Sequence, residues 1–338
     1  MNKYSGIDLH SNNSVVVITN DTDKVLVEKR MPNELTAILA LLEPHREELI
    51  GIVVESTYNW YWLVDGLQAA GFTVHLANTT AIKSYDGLKH SNDESDAAYL
   101  AHLLRLGILR TAHIYPKEQR AVRDLARKRM QLVRSRTQHI LAVENIVARE
   151  SAVSIKSNDV KRLTEESVLT LGLRLDVDLA VQANVAVIET INSQIVLLEK
   201  RLQERVRPCS EYALLTSVPG IGQILATTIL LETGAIERFR EVGHYASYAR
   251  CVDSVRLSNG KKKGEGNVKN GNVYLSWAFV EAAHFACRYC TEAKRFFDKK
   301  RSKTNNAVAT KALAHKLARA CYHMLKEKKE FDVKRCFA

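Results

Sequence analysis

Cysteine is scarce in this sequence, and long apolar runs are missing. Six cysteines spread over 338 residues do not make a disulfide scaffold. No uninterrupted apolar stretch reaches the ~18 residues that a membrane span needs. The opening residues, MNKYSGIDLH, are short of basic side chains and lack the apolar core of a signal peptide. These absences argue against a secreted mini-protein, a membrane protein and a fibrous protein, and they point to a reducing, cytoplasmic compartment. What is present is a foldable chain. It is 46% hydrophobic and 26% charged, enough to bury a sizeable core. At roughly 150 residues per domain, the length allows two domains, or one domain with an extended element.

The formal charge of +11 is unevenly spread. Residues 1–99 carry a net −7, residues 100–150 a net +7, residues 151–250 a net −1 and residues 251–338 a net +12. An acidic head beside basic segments suggests a polyanionic partner together with a use for carboxylates. Because the basic excess is segmental, nucleic acid explains it better than a merely solvated surface does.

Three strands are expected at the start: Tyr4–Leu9, Ser14–Thr19 and Lys24–Met31, with Asn- and Asp-rich turns between them. Pro32 is expected to open a helix running to about Leu42. Leu49–Val54 is a continuous apolar run of strand length, the mark of a strand buried on both faces. A helix over residues 58–70, a strand at Phe72–Ala77 and a helix from Asp93 to Leu106 complete the head. Meandering strands followed by alternating helices and strands imply an α/β domain, a mixed sheet with helices on both faces.

Residues 117–150 are helix-compatible, with Val122, Leu125, Leu132, Ile140, Val143 and Val147 on one stripe. Basic residues, among them Arg127 and Arg134, fill much of the rest and are candidates for nucleic-acid contact. Residues 178–206 carry a heptad-like seam, Val181, Val185, Ile188, Ile191, Ile195, Leu198 and Leu202. The two helices suggest an antiparallel hairpin. Its stripes either form a dimer interface or are buried within the chain. Val218-Pro219-Gly220-Ile221-Gly222 reads either as a helix-hairpin-helix turn, whose backbone N–H groups at Gly220 and Gly222 would hold a phosphate, or as a tight helix–helix turn. Residues 253–273 are rich in Gly, Asn and Lys and are expected to be a mobile basic loop or ribbon, with Lys261, Lys262, Lys263 and Lys269 facing nucleic acid. Further helices are expected over Tyr274–Arg288 and Ala307–Lys326. Cys287-x-x-Cys290 near His284 has no second cysteine pair at zinc spacing and reads as buried thiols.

Carboxylates occupy telling positions in the head. Asp8 closes the first strand in GIDLH, and Glu55 closes the apolar strand in VVES. An unpaired carboxylate at such a place is costly, and strand ends are where ligand sites form in sheets with parallel strands. Asp93 and Asp96, at i and i+3, share one face at the start of a helix. Four carboxylates at one end of a sheet repel one another and call for hard cations, most simply Mg²⁺. Two such ions can stabilise the attacking and leaving oxygens of phosphoryl transfer. Taken alone, Asp93 is equally a helix N-terminal acid favoured by the macrodipole.

GIDLH on the first strand, VVES on the buried strand and NDESDA opening a helix resemble the DEDD-type transposases of the IS110 insertion-sequence family. The resemblance continues through VPGIG, ASYARCVDS, SNGKKKGEGNVKNGN and YLSWAFVEAA, and so covers nearly the whole chain. It implies a ribonuclease-H-like, RuvC-like domain over residues 1–115. A helical, coiled-coil region would follow over 116–207, then a mainly α-helical transposase domain over 208–338. It implies that Asp8, Glu55, Asp93 and Asp96 hold Mg²⁺ and that Ser258 is the nucleophile that attacks DNA. It further implies donor and target DNA as substrates, a structured guide RNA, a homodimer or homotetramer with sites shared between protomers, and no membrane. Two motifs depart from the family pattern. Ser91-Asn92 stands where Lys-Thr is usual, and Arg250-Cys251-Val252-Asp253 where Gly-Leu-x-Pro is frequent. Asn259 also separates Ser258 from Gly260, and Ser254 remains an alternative nucleophile. The competing readings are a RuvC-like Mg²⁺-dependent endonuclease without serine chemistry, and an actin-like sugar or acid kinase, a fold that also opens with Gly-Ile-Asp before a β-hairpin.

Overall fold

The computed structural model describes residues 1–79, 82, 92–152, 154–253, 256–264 and 270–338. These fall into two units, Met1–Lys117 and Glu118–Ala338.

In the first unit the strands are β1 (Lys3–Leu9), β2 (Asn13–Asn20), β3 (Val25–Pro32), β4 (Leu49–Glu55) and β5 (Val74–Ala77), joined by a two-residue β6 (Thr111–Ala112). The order across the sheet is β3-β2-β1-β4-β5-β6. β1 pairs antiparallel with β2 and parallel with β4, so the sheet is mixed, as the element order implies. Pro32 does not open a helix. It ends the edge strand β3, where a missing N–H removes little pairing, and α1 starts later (Leu35–Leu42). α2 (Tyr61–Ala69) and α3 (Asp93–Arg105) complete the unit. β6 is too short to leave a periodic signature.

Side-chain alternation sorts the sheet into two faces. Ile7, Leu9, Val16, Ile18, Ile52 and Val54 pack with Ile38 and Leu42 of α1 and with Leu63, Val64 and Leu67 of α2. On the opposite face Val15 and Val17 meet Ala97, and Val53 meets Leu100, both from α3. Gly6 lies on this second face. A Cβ built there would sit 1.9 Å from the Ala97 carbonyl oxygen and 3.0 Å from the Ala101 nitrogen. The helix backbone therefore rests directly on β1, and only a residue without a side chain permits it.

In the second unit α4 (Lys117–Ser151) runs out, the short α5 (Ser157–Val160) and α6 (Glu165–Leu169) turn the chain, and α7 (Leu175–Val206) returns. The pairs Arg129–Glu199, Arg136–Asn192 and His139–Asn184 rise on one helix as they fall on the other, which fixes the antiparallel sense. Val181, Val185 and Ile188 close on Ile140, Val143 and Val147, so these parts of the two stripes are buried within the chain. Among the described residues one helix, α7, is long and apolar enough to cross a membrane by length and composition; its seam is packed against α4 here.

The remaining helices are α8 (Ser210–Thr216), α9 (Gln223–Thr233), α10 (Val242–Tyr248), α11 (Val273–Tyr289), α12 (Thr291–Arg301), α13 (Asn306–Glu327) and α14 (Val333–Phe337). They enclose a core that includes Ile229, Tyr245, Phe279, Leu313, Leu317 and Cys321. Cys290 belongs to that core and Cys287 packs against it. Between α10 and α11 stands a two-stranded ribbon, β7 (Arg256–Ser258) and β8 (Lys261–Gly264).

Gly6→Ala should destabilise the first unit by roughly 3 kcal/mol, because the added methyl overpacks against backbone that cannot yield. The check is denaturant unfolding of the full chain, in which the transition of the first unit should shift to lower denaturant.

Candidate functional site

Period-two alternation puts Gly6 and Asp8 on the face of β1 that α3 covers, and His10 follows just beyond the end of the strand. The same alternation puts Gly51, Val53 and Glu55 on that face of β4, beside β1 in parallel register. α3 brings Asp93 and Asp96 from the turn above Ala97. Its start is fixed by Asn92, whose side chain accepts from Ser95 N while Ser95 Oγ accepts from Asn92 N, a reciprocal cap. Acids in this first turn are favoured by the helix dipole, so the dipole reading of Asp93 and the cluster reading hold together.

Asp8 is 4% exposed. The His10 Nε2 atom lies 3.3 Å from Asp8 Oδ2 and 3.2 Å from Asp93 Oδ2. Despite these distances it makes no hydrogen bond of acceptable angle among the described residues, although the atom is buried. The His10 backbone is anchored: its carbonyl accepts from Asn33 Nδ2 at 3.0 Å and from Asn59 Nδ2 at 2.9 Å. Arg30 Nη2 donates to Asp93 Oδ2 at 2.6 Å and holds that carboxyl below the usual range.

The other two carboxyls are shifted the opposite way. Burial is the largest cause at Glu55; a hydrogen bond with Asp8 and the charges of Asp8 and Asp96 add to it, and the group is pushed up to about 8. Asp96 keeps much of its surface in water, yet partial desolvation, then the charges of Asp8 and Asp93, raise it. Asp8, Glu55, Asp93 and Asp96 therefore feel one another electrostatically at one end of the sheet. One ligand atom each from Asp8, His10 and Asp93 lies within 4.8 Å of the others, a set that could hold a divalent ion. His10 and Arg30 are not singled out by the sequence reading. The signal for His10 is its place two residues after Asp8, just past the end of β1. Arg30, on another strand, left none.

The second unit holds the remaining candidates. Ser258 ends β7 and is exposed. Asn259 (φ +49°) and Gly260 (φ +71°) form the two-residue turn, and Ser258 pairs with Lys261. Asn-Gly at two positive φ values is a strong short hairpin signal, so part of the expected loop or ribbon is an ordered hairpin. Lys261, Lys262 and Lys263 are exposed on β8. Ser254 and Lys269 lie outside the described residues.

Gly220 has φ +95°, and a Cβ there would lie 2.5 Å from Ala286 N and 2.6 Å from Ala282 O. Helix packing against α11 accounts for this glycine. Gly222 is the N-cap of α9, with open space around it. Arg134 is exposed beside a groove lined by Lys128, Gln131 and Tyr274. Arg127 borders the same groove, but its guanidinium is engaged by Glu232.

Glu55 ties stability to pH. Its carboxyl binds a proton more tightly in the folded chain than in the unfolded chain, so its contribution to stability is present at low pH. That contribution is lost as pH rises from about 4.5 through about 8. Glu55→Gln should flatten this part of the pH–stability curve of cation-free protein, as measured by denaturant unfolding at a series of pH values.

Comparison with known proteins bears on the family of the chain. A family model described as the transposase of DEDD-type IS110 elements matches residues 5–149, and one described as the transposase IS116/IS110/IS902 family matches residues 212–298. A probable family 20 transposase of Pseudomonas aeruginosa is 26% identical over 274 residues, 78% of this chain and 80% of that protein. The transposase for insertion sequence element IS1111A of Coxiella burnetii is 24% identical over 236 residues, 68% of this chain and 63% of that protein. A protein of insertion element IS110 from Streptomyces coelicolor is 26% identical over 167 residues, 49% of this chain and 41% of that protein. With one family model on the carboxylate-bearing unit and the other on the ribbon-bearing one, the chain belongs to the IS110 family of insertion-sequence transposases.

Proposed function

We propose that this transposase cuts and rejoins DNA by means of a Mg²⁺-dependent carboxylate centre and a serine nucleophile. The observation that carries the first half is the Asp8–His10–Asp93 group, with Glu55, raised to about 8 by burial and its acidic neighbours, and Asp96 near it though outside that set. Carboxylates this close are relieved by a proton or by a cation. The donor set fits a divalent ion: oxygens from Asp8 and Asp93, and a buried His10 Nε2 without a hydrogen bond among the described residues. Asp8, Glu55, Asp93 and Asp96, joined by His10, would hold the ion. When bound, it supplies positive charge to the phosphoryl oxygens.

Ser258 is the proposed nucleophile. Its Oγ forms a bond to a DNA phosphorus, the bond from that phosphorus to one strand oxygen breaks, and the serine proton ends on the freed hydroxyl. A strand hydroxyl then attacks the phosphoserine, which releases Ser258 and rejoins DNA without net hydrolysis. Lys261, Lys262 and Lys263, exposed on the adjoining strand, offset the phosphate charge. Arg134, the Gly222 end of α9 and Lys269 are proposed backbone contacts. The strand order β3-β2-β1-β4-β5 supports a ribonuclease-H-like reading of residues 1–115. Family membership supports the division at 116–207 and 208–338, assembly as a dimer or tetramer, and a structured guide RNA that specifies donor and target.

Incubation with donor DNA should yield a covalent protein–DNA adduct that Ser258→Ala abolishes. If breakage continues at the normal rate without an adduct, the metal-dependent nuclease reading replaces this one. Lys262→Ala should still form the adduct while lowering the salt slope of DNA binding by about 1. Asp8→Ala should eliminate both divalent-dependent strand breakage and Mn²⁺ binding by calorimetry; full activity in that variant rules out the carboxylate centre. Sequencing nucleic acid that copurifies with the protein tests the guide RNA.

A further inference from the structure

The ribbon bearing Ser258 leaves the helical body after α10 and returns at α11, and its return foot is tied to a buried carboxylate. Glu232, on α9, is 2% exposed. Its Oε1 accepts from Arg127 Nε at 2.6 Å, and its Oε2 accepts from Arg127 Nη2 at 2.7 Å. Oε2 also accepts from Asn272 Nδ2 at 2.7 Å. Asn272 is the return foot itself. Its Oδ1 caps α11 by accepting from Tyr274 N at 2.9 Å and Leu275 N at 3.0 Å, and its own N–H donates to Tyr248 O at 2.6 Å.

The departing foot is held against the same point. Arg250 Nε donates to Gly271 O at 3.1 Å, and Lys311 Nζ donates to the Arg250 carbonyl. Cys251 N donates to Ala246 O at 2.9 Å. Gly271 has φ +94°, and a Cβ there would come within 2.6 Å of Tyr248 O, so the return foot meets the end of α10 backbone to backbone.

A charge is not needed to fill this volume. A buried ion pair is often matched in stability by apolar side chains of similar size. What a carboxylate adds is direction: it fixes Asn272 from one side and Arg127 of the long helix α4 from the other. Arg127 is further seated over the Tyr274 ring, 4.6 Å from its centroid. We propose that Glu232, gripped by Arg127 and Asn272, is a positioning residue for the serine ribbon. It sets where the feet of the ribbon stand and hence how Ser258 approaches a phosphate. Arg127 then serves the ribbon rather than DNA. This rests on the reading of Ser258 as nucleophile.

The test uses the full chain carrying Glu232→Gln, and separately the double variant Arg127→Met/Glu232→Met, which removes both charges of the pair together. Three quantities are measured: hydrogen exchange at the foot amides of Cys251 and Asn272, the rate of adduct formation, and DNA affinity. In both variants foot exchange should quicken by about tenfold while the α11 and α13 cores keep their protection. Adduct formation should slow by up to about a hundredfold, with DNA affinity within about twofold of wild type. Unchanged foot exchange in the folded double variant overturns the proposal, as does loosening spread evenly over the second unit. A large loss of DNA affinity in the double variant overturns it by returning Arg127 to the DNA. Failure of the Ser258 reading is distinguishable: the adduct would survive Ser258→Ala, whereas foot exchange reports on Glu232 whatever the nucleophile.

Discussion

The first unit is organised by the close approach of a helix to a strand. With no side chain at Gly6, the carbonyl of Ala97 lies where a Cβ would be, and α3 settles directly on β1. Any side chain there would lift the helix away. Because Asp93 and Asp96 ride on the first turn of that helix, such a lift would also separate them from Asp8 on β1, from His10 just after it and from Glu55 on β4. Packing of the core and assembly of the acidic group are thus one constraint, and the glycine two residues before the aspartate is part of the site's geometry without touching any ligand.

Electrostatics then differentiates four chemically similar groups. Arg30 stabilises the charged form of Asp93, whereas burial and the neighbouring acids stabilise the neutral form of Glu55. Asp8 stands between them, against His10 on one side and Glu55 on the other. Mutual repulsion in such a cluster adds to burial in favouring the protonated form of Glu55. The second unit carries Ser258 on an exposed hairpin. A two-residue Asn-Gly turn sets its tip, and the contact of Gly271 with the end of α10 sets its base. Glycines at Gly220 and Gly271 act as Gly6 does, by letting backbones meet where a side chain would hold them apart.

Much of this was legible in the sequence because it is periodic or local. The strands of the head, the helices on both faces, the long helices α4 and α7 and the placement of Asp8, Glu55, Asp93 and Asp96 at element ends all follow from spacings of two and of three to four residues. Pro32 was misread because one proline serves equally at a helix start and at the end of an edge strand; only the pairing partner distinguishes the two. α12 was not foreseen because its charged face, with Lys299, Lys300 and Arg301 at its end, masks a buried pair as slight as Ala293 and Phe297. The ordered tip of the ribbon was readable from Asn259-Gly260 and was obscured by the glycine and lysine around it.

What the sequence determined by itself was therefore the identity and order of the longer periodic elements, the face their side chains take, and the kinship carried by GIDLH, VVES, NDESDA and VPGIG. What only the tertiary structure decided were the pairings between residues far apart in the chain: Arg30 with Asp93, His10 between two aspartates, Arg127 with Glu232 and Glu232 with Asn272. The physical reason is one of range. Backbone periodicity fixes where a side chain points along its own strand or helix. Which distant group it meets depends on how closely elements pack, and that is set by steric contacts, a missing Cβ at Gly6 or Gly220 among them, that no local pattern encodes.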